Sequence, residues 1–252
     1  MIRILILGEG PTDCGKKDYM SEELLDGPVE VYIRKILNEQ GEVVFSFPKD
    51  EDKKSRPRFQ QIGKGLDRHG IKAAILMRMA MRDKYQCVAY YSDADREQGS
   101  DARDKAQCRK RYKKLKDDII KGFEKGQRNT ENAIQVSSIA IIPVKMIESW
   151  LMGDPNAFSL AFPNGQKKGK HQENCPNQPE LDWGDYNDPK SNHPKHRLER
   201  ILAGYGQASN QMTFCKIAEC ADVETLRTTC PISFADFYEQ VKKIVIDSSS
   251  DK

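Results

Sequence analysis

Glu9, Asp93 and Asp95 are the side chains whose types and positions point first to chemistry. Each follows a short apolar run: Ile2 to Leu7 leads into Gly8-Glu9-Gly10-Pro11-Thr12-Asp13, and residues 86–91 lead into Ser92-Asp93-Ala94-Asp95-Arg96. The first run, short, branched and uninterrupted after Arg3, reads as a strand buried on both faces of a parallel sheet. Carboxylates at the mouth of such a sheet can hold a divalent metal ion. Asp93 and Asp95 lie two residues apart, so on extended backbone both side chains leave the same face and can share one cation. Hard oxygen donors of this kind favour Mg²⁺ or Mn²⁺ over zinc. The competing readings are local: Glu9 accepting hydrogen bonds within its own turn, and the aspartates capping the next helix. Mutual repulsion between unpaired acids favours the ion. Asp13 and Thr12 either orient Glu9, reach the metal, or make a local turn bond.

The elements that must position these acids follow a regular alternation. After a polar stretch over residues 14–27, Pro28 opens a helix with Val29, Tyr32, Ile33, Ile36 and Leu37 on one stripe, ending at Gly41. Residues 43–47 form a second strand closed by Pro48, residues 50–58 a charged loop, and residues 62–81 a helix interrupted at Gly70. Strand, helix, strand, helix, strand implies right-handed crossovers and a mainly parallel sheet. Such a sheet carries its functional loops at the carboxyl edge. A long helix is predicted over residues 101–125 and a further strand over 134–144, which delivers Glu148 to the first turn of a short helix bearing Trp150. Within that apolar pattern Trp150 reads as core.

A glutamate in a Gly-Glu-Gly turn after the first strand and an Asp-x-Asp after a later one, followed by Ile141-Ile142-Pro143-Val144-Lys145-Met146-Ile147-Glu148-Ser149-Trp150-Leu151-Met152, together resemble the TOPRIM domain of topoisomerases, primases and OLD-family nucleases. The last of these segments resembles the proline-then-glutamate-tryptophan stretch of small stand-alone TOPRIM proteins, which are often associated with bacterial defence against phage. The resemblance covers residues 1–161, with a looser echo to residue 237. It implies a TOPRIM-like α/β core over residues 1–161, with a mainly parallel sheet flanked by helices. A flexible loop over 162–195 and a helical C-terminal extension over 196–252 complete the expected organisation. It also implies a metal-dependent nuclease acting on DNA or RNA. In that reading Asp93 and Asp95 hold Mg²⁺ (or Mn²⁺), Glu9 is a ligand or general base, and Glu148 helps hold a second ion. Lys216 and Lys190 are candidates for a cation that offsets phosphate charge. A metal-binding regulatory or effector subunit of an ATPase complex is the alternative, because comparable domains are fused to ATPases or encoded beside them.

Composition bounds the remaining possibilities. A chain of 252 residues with a formal charge of +3 can bury a substantial core but is no polycation, so nucleic-acid affinity must come from local patches. One such patch is the stretch from Arg96 to Glu131, with 12 basic and 7 acidic residues. Within it Arg109, Lys110, Arg111, Lys113 and Lys114 are candidates to track a phosphate backbone, although charge runs also form ordinary solvated helix faces. Seven cysteines without paired spacing point to a reducing cytoplasm. Met1 runs straight into a core strand, leaving no expected targeting segment, and no apolar run is long enough to span a membrane. His171, Cys175, His193 and His196 invite a zinc reading that their irregular spacing does not support.

Overall fold

The computed structural model describes residues 1–8, 10, 12–17, 24–37, 41–48, 65–94, 105–128, 135–165 and 173–249. Four parallel strands form the central sheet: β1 (Ile2–Leu7), β4 (Val43–Ser46), β5 (Cys87–Tyr91) and β6 (Ser137–Ile141), in the order β4-β1-β5-β6. A small antiparallel ribbon, β2 (Lys16–Lys17) with β3 (Leu24–Leu25), stands apart from it. The fold is α/β, with an all-parallel sheet flanked by helices, as the alternation of apolar runs predicts.

The strand order follows from the connections. The chain leaves β1 in one direction to reach β4, through α1 (Pro28–Ile36), and then crosses back over β1 to reach β5 and β6. Right-handed crossovers in opposite directions put their helices on opposite faces. Accordingly Ile2, Ile4 and Ile6 of β1 pack with α1, whereas Leu5 packs with α2 (Arg68–Arg82) and α3 (Lys105–Gln127). All five residues of β5 are buried, which explains why its sequence is apolar without alternation.

The second face shows why Gly70 is not a helix interruption. Gly70 lies inside α2, and a Cβ added at Gly122 of α3 would sit 2.2 Å from the Gly70 carbonyl oxygen. The two helices therefore touch backbone to backbone, and glycine is required at the crossing. Asp118 of α3 secures the junction by accepting the Gly70 amide at 2.5 Å and the Asp67 amide at 3.0 Å, which satisfies donors that the start of α2 leaves free.

The C-terminal helices complete the first face. Beyond β6 come α4 (Ile147–Leu151), α5 (Pro155–Ala161), a 3-10 turn (Pro179–Leu181), α6 (Pro194–Gly204), α7 (Gln211–Cys220), α8 (Val223–Thr229) and α9 (Phe234–Ser249). Trp150 is fully buried, stacks on Phe237 at 5.1 Å, and donates its indole N–H to Ser233 Oγ at 2.8 Å. Gln240 of α9 bonds both the amide and the carbonyl of Ala140, so a side chain occupies backbone groups that edge strand β6 would otherwise present to another chain.

Residues 173–193, expected within a mobile loop, contain little regular structure but are pinned at several points. Glu180 is buried and accepts the amides of Ile232 and Ser233 at 2.8 and 2.7 Å, together with the Ser233 hydroxyl. Arg197 pairs with Asp182 at 2.5 Å and with Glu173 at 3.2 Å. Polar anchors hold this segment where apolar residues are scarce.

Candidate functional site

The carboxyl ends of β1 and β5 are neighbours, with Leu7 in register with Tyr90. Here the chain departs from β1 toward one side and from β5 toward the other, which is the place where open parallel sheets leave a crevice for ligands. After β1 the described residues Gly8, Gly10 and Cys14 lie close together. A Cβ at Gly8 would lie 2.6 Å from Cys14 Sγ, and the Cys14 amide donates to the Gly10 carbonyl at 3.2 Å. The loop is then clamped to the start of α1: the Val29 amide donates to the Asp13 carbonyl at 3.2 Å, and Glu30 accepts the amides of Gly15 and Gly27 at 3.0 and 2.9 Å.

Three ionisable groups in this corner are displaced from their ordinary values. Burial raises the Glu30 carboxyl to about 7 against the lowering effect of its backbone donors. Burial also pushes the Cys14 thiol up, and the charges of Glu30, Asp13 and Asp93 add to it. Tyr91 is buried and donates its hydroxyl to Asp93 Oδ1 at 2.5 Å; burial first, then the charges of Asp93 and Asp13, push its phenol up. Asp13 and Asp93, far apart in sequence and both half-buried, thus act on the same two buried groups. Beside them, Ser92 Oγ is buried without a hydrogen-bond partner.

The neighbouring corner begins one strand away. Ala94 forms a parallel bridge with Val144 and donates its amide to the Pro143 carbonyl at 3.0 Å. Pro143 has no amide to return, so regular pairing of β6 stops at Ile141, short of the predicted 134–144. Lys145 follows with a left-handed backbone, φ 70°, a conformation that is costly for a non-glycine residue and recurs at functional positions. Its side chain is buried, donates to the Asp182 carbonyl at 2.5 Å, and lies 5.3 Å from the centre of the Trp183 ring. Glu148 is buried in the first turn of α4.

The predicted site residues are distributed as follows. Glu9 and Asp95 lie outside the described residues, as does His171. Asp93 stands at the rim, and Asp13 joins it. Among the described residues, no group of three or more His, Cys, Asp or Glu side chains converges to hold a metal ion. Arg109, Lys110, Lys113 and Lys114 are exposed on α3, and Arg111 is half-buried there. Lys216 is exposed on α7, which contacts α5, α1 and, less extensively, α4; Lys190 is exposed in a turn where its amide bonds Asp188 Oδ1 at 2.9 Å. Cys175 packs against the core. Sequence reasoning did not single out Tyr91, Cys14 or Lys145. A lysine inside the apolar run 139–147 was the available signal for the last.

Residues 28–242 match the family described as a domain of unknown function, DUF4276. The chain belongs to the DUF4276 family. The DUF4276 match opens with the first residue of α1 and ends within α9, so it contains Asp93, Lys145, Glu148 and the segment 173–193, while β1 and Asp13 precede it. No curated protein and no solved structure matches the chain. Among the described residues, no helix is long and apolar enough to cross a membrane.

Proposed function

We propose that this protein is a TOPRIM-type nuclease that hydrolyses phosphodiester bonds of DNA or RNA with Mg²⁺ or Mn²⁺ at the β1/β5 rim. The observation that carries the reading is the convergence of Asp13 and Asp93 on Tyr91 and Cys14 at the sheet's switch point. Two part-exposed carboxylates are hard oxygen donors suited to such an ion. Glu9 and Asp95 belong to the same two loops and are the residues from which the remaining ligands would come. When bound, the ion supplies charge neutralisation for the phosphate and lowers the pKa of water. Tyr91 fixes the orientation of Asp93, and the clamp through Glu30 fixes the loop carrying Asp13. The α3 helix follows the aspartate loop, and its exposed Arg109, Lys110, Lys113 and Lys114 suit contact with a phosphate backbone. The described cysteines are free thiols, and a reducing cytoplasm is the proposed location.

The test is cleavage of single- and double-stranded DNA and RNA by the purified full chain with Mg²⁺ or Mn²⁺, compared with the chain in EDTA. Metal-dependent cleavage is expected. Metal binding without cleavage would transfer the reading to a non-catalytic subunit, such as one acting with an ATPase.

A further inference from the structure

Glu30 is 0% exposed, the lowest value among the described carboxylates. Part of its position is ordinary: from the third residue of α1 its Oε2 accepts the Gly27 amide at 2.9 Å, as in a capping box. A glutamate that only caps a helix can stay at the surface. This one is held inside because its other oxygen, Oε1, accepts the Gly15 amide at 3.0 Å, two residues beyond Asp13. The backbone around it leaves no slack. A Cβ at Gly15 would lie 2.3 Å from the Leu25 carbonyl oxygen, and one at Gly27 would lie 2.5 Å from the Asp13 carbonyl oxygen.

Amides are neutral donors, and a buried carboxylate is ordinarily paired with a cation or bound to a metal as well. Among the described residues, no base pairs with Glu30; the groups around it are acids and thiols. Asp13 and Cys14 come from the loop after β1, and Asp26, just ahead of α1, opposes its ionisation. Cys215 comes from α7, and after burial the Glu30 charge pushes its thiol up. On α1 itself Arg34 is engaged by Asp26 at 2.7 Å and by the Val43 carbonyl. The other helix against α1, α9, brings Phe234 edge-on to Tyr32. Burial first, then Asp26, raises the Glu30 carboxyl to about 7, so its acid form is well populated at neutral pH. Glu30, Asp13 and Asp93 all act on the Cys14 thiol, which places the three carboxylates about one buried group. Charge brought to the rim is therefore felt at Glu30, since buried charges are screened less than exposed ones.

We propose that a divalent ion at the β1/β5 rim and the proton on Glu30 displace one another, so that uptake of the ion drives this proton from the carboxyl group into solvent. The inference rests on the reading of that rim as a metal site and adds its regulation. The linkage is reciprocal: ionised Glu30 strengthens the hold on the ion as much as the ion favours ionised Glu30. Loss of the proton leaves both oxygens as acceptors for the Gly15 and Gly27 amides, so the loop that carries Asp13 stays clamped while the charge behind it changes.

The experiment is calorimetric titration of the full chain with Mn²⁺, in pairs of buffers that differ in protonation enthalpy, from about pH 6 to about pH 8. Wild type should release up to about one proton per ion below the Glu30 midpoint. Its affinity should rise by up to about ten-fold per pH unit there and level off above it. Glu30→Gln should release no proton, and its affinity should be flat over the same range. Because glutamine turns an NH₂ toward one of the two amides, wild type is also read directly by carboxyl-carbon NMR of glutamate-labelled protein. Saturating Mg²⁺ should move the glutamate midpoint near 7 downward. Mn²⁺ binding without proton release, a Glu30→Gln variant with the wild-type pH slope, or a midpoint unmoved by Mg²⁺ would each overturn the linkage and leave the metal site standing. Absence of Mn²⁺ binding at every pH would overturn both.

Discussion

Two corners of one sheet edge are built by opposite means. The β1/β5 corner gathers acids from loops that directly follow their strands, and its buried members, Glu30, Cys14 and Tyr91, all have raised pKa values. The β6 corner gathers a lysine, a tryptophan and two histidines, and its buried member, His193, has a lowered one. Burial is the first cause of all these shifts, since it disfavours the charged form of acid and base alike; what sets the first corner apart is the added charge of Asp13 and Asp93 on Cys14 and Tyr91. The second contains its own cation, held against a carbonyl and an aromatic ring.

The comparison breaks most visibly at Asp93. Mutations in the outer shell of metal sites typically cost about 10- to 100-fold, so removing a direct ligand by Asp93→Ala should lower Mg²⁺-dependent cleavage by more than about 100-fold. The melting temperature should fall only modestly, because Asp93 is half exposed but its removal leaves the buried Tyr91 hydroxyl without its acceptor. Retained cleavage removes Asp93 from the mechanism. Next in size is Glu180→Ala, which strips acceptors from two amides and a hydroxyl at the start of α9 and should cost about 3 kcal/mol or more in urea unfolding. Because Glu180 bonds Ile232 and Ser233 and neither of the loops that follow β1 and β5, Mn²⁺ affinity at the acidic corner should stay the same; a parallel loss of affinity would show that the corners are one unit.

Smaller effects distinguish the corners by pH. Glu30 rises from its ordinary 4.5 to about 7, so its contribution to stability is full below the unfolded value and is lost as pH climbs through about 7, at most about 3 kcal/mol. His193 falls from 6.5 to about 4, so its contribution is present above 6.5 and lost as pH drops toward about 4. Relative to wild type, Glu30→Gln should lose stability more steeply on acidification, and His193→Gln more steeply on alkalinisation. Chemical denaturation across that range checks both, and unchanged slopes would contradict the assigned burial.

What sequence could reveal divides along the same line. The strands, and the place of Asp93 just past β5, were legible because the signal is local: a short branched run, a break, then an acid at the strand end. Trp150 was legible as core from its apolar neighbours. Gly70 was misread as a helix break, because its role is set by Gly122 on another helix, and helix propensity carries no information about such a contact. The segment 173–193 looked unfoldable because it lacks large apolar residues. Its order comes from Glu180, Asp182 and Arg197, polar pairings with no periodicity to detect. Lys145 illustrates the limit most simply, since its partner Asp182 is 37 residues away and only the folded chain brings them together.

The most direct test of the central claim is anomalous diffraction from crystals of the wild-type protein soaked in Mn²⁺. An ion at the β1/β5 rim, with oxygen ligands from Asp93 and Asp13 at about 2.1 Å and completed by Glu9 or Asp95, is the predicted result. A saturated crystal with no ion at that rim, or with its ion held elsewhere on the molecule, would contradict it.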